Sequence, residues 1–369
     1  MILHIQIEGL KRFRNETIAL GPLTVLTGLN GSGKSSLFQA IFLAREASTN
    51  RSSSLQLNGP FGLQLGTAID VLNWSSEGPI KVTLKDSGGG AAGWSFGVPD
   101  EDSLYLDVLE KPNVLPLPFR SKSRIFTYLS AERLGPRGPS KTLAMPNDDL
   151  EVGREGEYCA HVLSVLGDQV LEHLERTHPL YENPAPRLLK YEVEQWLSEI
   201  SQPIEVTGER LQASTVAELR YRFPGGTWVR ATNMGFGITY ALPIILGGLI
   251  AEPGGLVIIE NPEAHLHPAG QSRMGVFLAW LAGKGLQVIV ETHSDHVLNG
   301  MRRAVAEHKY LNAWDAAIHY FGGGTGEGDE QILVPLSLTD RGSLSSWPTG
   351  FFDQYQIDVA SLGQLRRRS

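Results

Sequence analysis

Eight consecutive residues near the N-terminus have the types and the spacing that a phosphate-binding loop needs. They read Gly28-Leu29-Asn30-Gly31-Ser32-Gly33-Lys34-Ser35 and fit the pattern G-x-x-x-x-G-K-[ST] at every defined position. Glycines let successive backbone N–H groups approach phosphate oxygens, the lysine reaches the β- and γ-phosphates, and the serine hydroxyl binds Mg²⁺. A buried strand precedes the loop and a helical pattern, Lys34 to Ala47, follows it. The segment therefore predicts a site for ATP and Mg²⁺ rather than a chance glycine turn.

Polar residues also follow two apolar segments near the C-terminus. Leu256–Ile259 runs into Glu260-Asn261-Pro262-Glu263, and Leu286–Val290 runs into Glu291-Thr292-His293-Ser294. Ligands bind beyond the carboxyl ends of parallel strands, and an apolar strand ending in a carboxylate is typical of the Walker-B arrangement. Strands often end in acids, so this pattern is weak alone; beside a phosphate-binding loop it favours a magnesium-binding role for Glu260.

Histidines near these strand ends offer two other interpretations. The spacings of His265, His267, His293 and His296 occur in zinc sites, but no cysteine supplements them and Pro268 follows His267 directly. A hydrolase triad made from His293, Ser294 and Asp295 fails on geometry, because adjacent residues on one segment do not face each other. A nucleotide-site or packing role is the better interpretation.

Composition limits the class of protein. The chain has 369 residues, 41% of them hydrophobic, and a net charge of −8, which fits one large domain or two lobes. This charge argues against a globally basic nucleic-acid wrapper but leaves a local basic groove open. The single cysteine, Cys159, excludes an internal disulfide framework, and the apolar run Ile238–Ala251 is too short to span a bilayer. We expect a soluble, cytoplasmic protein.

The elements that must position these residues alternate near the C-terminus. Helical spacing is predicted for Ile238–Ile250, Gly270–Leu281 and Asp295–Glu307, between strands at Leu256–Glu260, Leu286–Glu291 and Ala316–Phe321. This succession predicts a parallel sheet with right-handed crossovers. Upstream, the segment 50–130 is strand-like with a hairpin loop at Ser87–Gly93, helices are predicted at Tyr158–Leu174 and Lys190–Ile200, and Gly322–Glu330 is a polar loop.

Three segments resemble the ABC-type ATPase heads of SMC and DNA-repair proteins: Asn30–Ser36, Glu260–Pro268 and Thr292–His296. They are most similar to short bacterial ATPases related to the OLD (overcoming lysogenisation defect) group, many of which are encoded in anti-phage defence loci. The stretch Trp347–Asp353 resembles the small domain of unknown function that ends one subgroup. The resemblance implies an α/β head with a mixed or parallel sheet core, an antiparallel β subdomain and a helical lobe. We divide the chain at 1–135, 136–230, 231–342 and 343–369.

The resemblance also implies roles for individual residues. Residues Asn30, Gly31, Ser32, Gly33, Lys34, Ser35 and Ser36 would bind nucleotide, with Ser35 and Glu260 on Mg²⁺ and His293 as the switch histidine. Asn233, Gly235 and Gly237 occupy the place of the ABC signature, which contacts the γ-phosphate of the opposite subunit and so implies a head-to-tail dimer. Lys11, Arg12 and Arg14 would place positive charge near the nucleotide, although an exposed basic hairpin is an equal alternative for each. The Q-loop glutamine, a further metal ligand, is Gln56 or Gln64.

One position departs from the family pattern. Asn261 stands where a glutamate normally polarises the attacking water. An amide orients water by hydrogen bonding but accepts no proton. Glu263, two residues further on, would have to substitute for that glutamate if the turn at Pro262 brings it inward; otherwise hydrolysis should be slow.

Two functional hypotheses follow. The first is a hydrolysing ATPase that senses DNA or another invader-derived signal and controls a partner effector, such as a nuclease on another polypeptide, since the chain lacks a Toprim pattern of its own. The second is an ATP-locked assembly scaffold with little turnover; a DNA-repair ATPase head is a further alternative. In the tail, Trp347, Phe351 and Phe352 form either a docking cluster or, as the favoured interpretation, part of the core packing.

Overall fold

The computed structural model describes residues 1–76, 78–181, 186–212, 214–322, 333–348, 350–352 and 357–362. The strands within these ranges are β1 Ile2–Leu10, β2 Phe13–Ala19, β3 Leu23–Gly28, β4 Ser54–Gln56, β5 Ile80–Asp86, β6 Ala91–Gly97, β7 Tyr105–Glu110, β8 Phe126–Leu129, β9 Ser140–Lys141, β10 Glu205–Arg210, β11 Val216–Arg222, β12 Val229–Arg230, β13 Leu256–Glu260, β14 Gln287–Glu291, β15 Ala316–Phe321 and β16 Leu333–Ser337. The helices are α1 Lys34–Thr49, α2 Ala68–Val71, α3 Cys159–Leu166, α4 Leu189–Ile200, α5 Phe236–Ile250, α6 Pro268–Gly283 and α7 Asp295–Ala306, and residues 357–362 form a further short helix.

The central sheet has the order β16-β15-β3-β14-β13-β8 in the described part of the chain. All of its neighbouring strands are parallel except β15 and β16, which are antiparallel. Strands β3, β13 and β14 are buried almost throughout, and β13 and β14 are apolar apart from Gln287 and their final glutamates, as expected for parallel strands that are covered on both faces. Their carboxyl ends meet at one edge, because Glu260 pairs with Glu291 and Glu291 pairs with Leu26.

Each face of the central sheet has its own core. Helix α1 packs with the antiparallel sheet β2-β1-β5-β6-β7-β4 on one side. Helices α4, α5, α6 and α7 pack on the other side, next to a small sheet of β9 to β12. The structure is thus α/β with a mixed sheet core, an antiparallel β subdomain and a helical lobe, as predicted.

Most predicted elements agree with the structure to within two residues at each end, and two differ by more. The helix expected at Tyr158–Leu174 is only Cys159–Leu166, and Gly167 follows its last residue. The loop expected at Ser87–Gly93 is shorter, because β6 begins at Ala91 and the Asp86 carboxylate accepts hydrogen bonds from the backbone N–H groups of Gly88 and Gly90. Of the polar loop predicted at Gly322–Glu330, all but its first residue lies outside the described residues.

The C-terminal tail meets the central sheet at Phe351. This side chain is 1% exposed and packs edge-on against Tyr320 of β15, with ring centroids 5.5 Å apart. Trp347 is 45% exposed and contacts Phe351. Thr349 and Asp353 of the tail motif, and the basic run Arg366-Arg367-Arg368, lie outside the described residues. No helix in the described ranges combines the length and the apolar character needed to cross a bilayer.

Candidate functional site

The phosphate-binding loop connects β3 to α1 at the carboxyl edge of the central sheet. Gly28, Gly31 and Gly33 all have positive φ, at 134°, 72° and 106°, a region that glycine enters without steric cost. A Cβ on Gly28 would collide with the Phe321 carbonyl of β15. Glycine at this position therefore lets the loop lie directly against the neighbouring strand.

Lys34 begins α1 and its side chain turns back under the loop. It is 3% exposed, and its Nζ donates to the carbonyls of Gly28, at 3.1 Å, and Leu29, at 2.7 Å. Burial lowers the pKa of this ammonium, and the nearby Glu291 carboxylate opposes that shift. The lysine is thus held within the loop, where it would face a bound phosphate.

Glu291, at the end of β14, lies beside the two reactive side chains of the loop. Its Oε1 is 3.8 Å from Lys34 Nζ, and its Oε2 accepts a hydrogen bond from Ser35 Oγ at 3.4 Å. Burial raises the pKa of Glu291 to about 7. Lys34 opposes this rise, and the Glu260 carboxylate adds to it. Glu291 was not among the predicted site residues, although the sequence places it at the end of a strand, as it does Glu260.

Glu260, at the end of β13, is held from the side of β8. Its Oε1 accepts a hydrogen bond from the Tyr128 hydroxyl and its Oε2 from the Ala131 backbone N–H, both at 3.1 Å. Burial raises the pKa of Glu260, and these two hydrogen bonds oppose the rise. Tyr128 is a contact that the sequence did not indicate, because it lies 132 residues away in a strand that carries no motif.

The turn after Glu260 contains Asn261 in a left-handed conformation, with φ 44°. Asparagine tolerates this region better than most residues. Its backbone N–H donates to the Glu291 carbonyl at 2.9 Å, and its own carbonyl accepts from Arg133 Nη2 at 2.7 Å. The turn is therefore fixed by the ends of β14 and β8.

Glu263 faces the segment after β14. Its Oε2 accepts from Thr292 Oγ1 at 2.7 Å, and its Oε1 accepts from the His293 backbone N–H at 2.8 Å. His293 Nε2 lies 3.9 Å from Glu291 Oε1. Burial lowers the pKa of His293, and the positive charge of Lys34 lowers it further. Both Glu263 oxygens thus hold the segment that carries the predicted switch histidine.

Arg12 contacts the phosphate-binding loop. Its Nη1 donates to the Gly31 carbonyl at 3.0 Å, and its side chain lies near Gly33. Arg14 is exposed. The pKa of Lys11 is lowered by burial, an effect that Asp70 opposes. Of these three predicted basic residues, Arg12 is the one that the structure joins to the loop.

Asn233, Gly235 and Gly237 lie at the N-terminus of α5. Gly235 precedes the first helical residue, and no side chain caps this end, so its first backbone N–H groups are available to an anion. A cavity of about 420 Å³ beside it is lined by all three residues together with His265, His267 and Arg273. A Cβ on Gly237 would lie 2.8 Å from the His265 carbonyl. The predicted signature therefore packs directly against the loop that follows Glu260.

The other predicted site residues make fewer contacts that would indicate a role. Gln56 and Gln64 are both exposed, and across the described ranges neither side chain hydrogen-bonds to the loop or to Glu260. Ser32 and Ser36 are buried, Asn30 is exposed, and the Ser32 hydroxyl has no hydrogen-bond partner in the part of the chain that is described. A hydroxyl without a partner in this loop is suited to donate a hydrogen bond to a bound phosphate.

The donor set at the sheet edge suits Mg²⁺. Ser35 Oγ and the carboxylates of Glu260 and Glu291 are hard oxygen ligands, which Mg²⁺ prefers. Burial is the main cause of the raised pKa values of both carboxyls, and a divalent cation bound between them would favour their ionised forms.

Two segments of the chain match known protein families. A family model described as "AAA domain, putative AbiEii toxin, Type IV TA system" matches residues 23–299. A second model, "Protein of unknown function (DUF3696)", matches residues 311–362. No curated protein matches the chain.

Solved SMC head domains are similar to this chain to different degrees. The Smc head domain with an extended coiled coil, bound to the C-terminal domain of ScpA and derived from Pyrococcus furiosus, is 13% identical with a TM-score of 0.54, and the match covers 99% of each chain. The SMC head domain from Thermotoga maritima is 14% identical with a TM-score of 0.43, over 91% of this chain and 98% of that one. An SmcHead bound to the C-winged helix domain of ScpA is 14% identical with a TM-score of 0.49 over the same shares.

The family match covers 277 of the 369 residues, from the strand before the phosphate-binding loop to the helix after the predicted switch histidine. The Pyrococcus furiosus head domain supports the fold over the whole length. The chain is therefore a P-loop ATPase with an SMC-like head fold, and it belongs to the family described as AAA domain, putative AbiEii toxin, Type IV TA system.

Proposed function

We propose that this protein binds ATP with Mg²⁺, hydrolyses the nucleotide slowly between two copies of the chain, and thereby controls or assembles with a partner effector. One observation carries the catalytic part of this proposal. The ends of β3, β14 and β13 bring Lys34, Ser35, Glu291 and Glu260 to one edge of a parallel sheet.

Each of these side chains has a defined task in the proposal. The backbone N–H groups from Asn30 to Ser36 bind the phosphates, and Lys34 exchanges its two carbonyl partners for phosphate oxygens. Ser35 and Glu260 hold Mg²⁺, and Glu291 adds a second carboxylate to this set. The metal, when bound, would neutralise charge that develops on the phosphates.

Water activation is the weak step in this site. Asn261 orients water but takes no proton, and both oxygens of Glu263 already accept hydrogen bonds from Thr292 and His293. These contacts favour a positioning role for Glu263 over the role of general base that the sequence suggested. Slow hydrolysis is the consequence, and a turnover-poor, ATP-locked scaffold is the second candidate function that Asn261 favours.

The dimer is supported by the N-terminus of α5. Its uncapped N–H groups and the open space around Gly235 suit a γ-phosphate presented by a second copy, which is a head-to-tail homodimer or a larger assembly built from it. Arg12 would add positive charge at the nucleotide of its own subunit, and a Q-loop residue, Gln56 or Gln64, would complete the metal ligands.

The biological part of the proposal rests on resemblance. The family description names a putative toxin of a toxin–antitoxin system, and the short OLD-like ATPases often belong to anti-phage defence loci. We therefore propose a cytoplasmic protein with a separate effector, such as a nuclease, and with possible DNA contact. The genes that flank this one would identify that partner.

A phosphate-release assay tests the catalytic part. Wild-type protein should release phosphate above the level of Lys34→Ala, while Lys122→Ala, which removes an exposed lysine paired with Glu252, serves as the matched control. ATP binding without turnover above Lys34→Ala would refute hydrolysis and favour the scaffold. Light scattering with ATP and Mg²⁺ tests the dimer: a wild-type protein that stays monomeric at saturating ATP and Mg²⁺ would contradict it.

A further inference from the structure

Arg133 is a buried cation with an unusual set of partners. Its side chain is 2% exposed, and within the described ranges no carboxylate lies at ion-pair distance. Its guanidinium donates instead to four backbone carbonyls, those of Ser130, Glu260, Asn261 and Tyr240, at 2.8, 2.6, 2.7 and 3.2 Å. Burying an unpaired charge is costly, so these four hydrogen bonds must offset a penalty that a neutral side chain would avoid.

The four carbonyls belong to three separate segments. Ser130 follows β8, Glu260 and Asn261 form the turn after β13, and Tyr240 lies in α5. The planar fork of an arginine can bridge several acceptors at fixed angles, which a lysine ammonium cannot do. Arg133 thus ties the turn that carries Glu260 and Asn261 to the helix whose N-terminus carries Gly235 and Gly237.

Aromatic contacts reinforce the same connection. The Arg133 guanidinium lies 5.5 Å from the centroid of the Tyr240 ring, and that ring contacts His265 edge-on at 4.5 Å. Phe236, the first residue of α5, packs against His265 at 5.0 Å. Helix α5 and the segment 260–265 are therefore in contact at both the Arg133 end and the His265 end.

Two residues of this segment have strained backbone conformations. Asn261 and His265 have φ values of 44° and 61°, which non-glycine residues keep only where their surroundings hold them. The Arg133 hydrogen bond to the Asn261 carbonyl and the close approach of Gly237 to the His265 carbonyl provide such support. The conformation of the turn therefore depends on where α5 lies.

We propose that Arg133 is a positioning residue that couples the N-terminus of α5 to the turn at Glu260 and Asn261. When the γ-phosphate bound to a second copy contacts α5, Arg133 moves the water-orienting amide of Asn261 with the helix. Hydrolysis proceeds when α5 and Asn261 are both correctly placed. The proposal rests on the function proposed above, since it assigns the route by which the dimer controls turnover.

The test compares two buried arginines that hold opposite ends of α5. Arg176 is fully buried and donates to the carbonyls of Gly248, Leu249 and Ala251 at the C-terminal end of the helix. Arg176→Gln should lower the melting temperature and leave kcat unchanged. Arg133→Gln should lower kcat by about 100-fold, the usual cost of a misplaced reacting group, with the Kd for a fluorescent ATP analogue unchanged. Arg133→Lys should lie between wild type and Arg133→Gln.

A second readout keeps the test separate from hydrolysis itself. In wild-type protein, ATP and Mg²⁺ should protect both the first turn of α5 and residues 261–266 from hydrogen exchange. In Arg133→Gln, protection of α5 should persist while that of residues 261–266 is lost. Two results would overturn the proposal. One is equal protection of both segments in Arg133→Gln; the other is a fall in kcat that matches the fall in melting temperature in both Arg133→Gln and Arg176→Gln. A wild-type protein without turnover contradicts hydrolysis alone, and the exchange result then decides the role of Arg133.

Discussion

Glu291→Gln should stabilise the nucleotide-free protein at alkaline pH. Burial raises the pKa of this carboxyl from its usual 4.5 to about 7, and each unit corresponds to about 1.4 kcal/mol. Ionised Glu291 therefore costs the folded state about 3 kcal/mol above pH 7. The cost is absent below pH 4.5, where the carboxyl is protonated in both states, and it grows as the pH rises to 7. Glutamine carries no charge and avoids it.

Thermal unfolding at pH 5 and pH 8 measures this effect. For a chain of this length, 3 kcal/mol corresponds to a rise in melting temperature of roughly 4 °C at pH 8, and the rise should shrink to about 1 °C at pH 5, just above the unfolded pKa. Adding Mg²⁺ and ATP should reverse the order, because the wild-type carboxylate then binds a cation. Glu252→Gln, at a carboxylate paired with Lys122 near the surface, is the control. An equal or lower melting temperature for Glu291→Gln at pH 8, without nucleotide, would refute the reasoning.

Three further predictions test the geometry around the site. Gly237→Ala should slow phosphate release, since its Cβ would press on the His265 carbonyl at 2.8 Å. Gly225→Ala, at a position with φ 75° but open space around it, should leave the rate unchanged. Asn261→Val should lower stability by about 1–3 kcal/mol in chemical denaturation, because a β-branched residue tolerates φ 44° poorly, and Asn261→Gly should not. Phe351→Ala should destabilise the fold by about 3–5 kcal/mol, whereas the half-exposed Trp347→Ala should cost less; equal losses would contradict this packing.

Local patterns predicted the elements around the nucleotide site well. Strands β13 and β15 have the bounds that alternation and burial indicated, and α7 differs by one residue at its end. Helix α5 continues through Pro243, within the helix predicted at Ile238–Ile250, and begins two residues earlier than predicted. The prediction for α3 was too long because the apolar spacing continues past Gly167, while the helix ends there.

Contacts between distant segments could not be predicted in the same way. The sequence placed Glu260 at a strand end, but the pairing of β8 with β13, which brings Tyr128 and Arg133 to that residue, depends on tertiary packing. Glu291 follows an apolar strand as Glu260 does, but the family pattern assigns a role only to His293, two residues later. The contacts of Glu263 with Thr292 and His293 likewise follow from the register of two strands rather than from any local signal.

The close approach of Gly28 to Phe321 has a consequence for how the chain can be divided. Strands β15 and β16 complete the central sheet, and β15 lies in the segment matched by the second family model. The family boundary near residue 311 is therefore not a folding boundary. A chain ending at residue 310 would expose the edge of β3 directly beneath the phosphate-binding loop, leaving its backbone N–H and C=O groups unpaired. Truncation or mutation of the C-terminal segment should thus first lower the affinity for nucleotide, although the nucleotide site lies near the other end of the sequence.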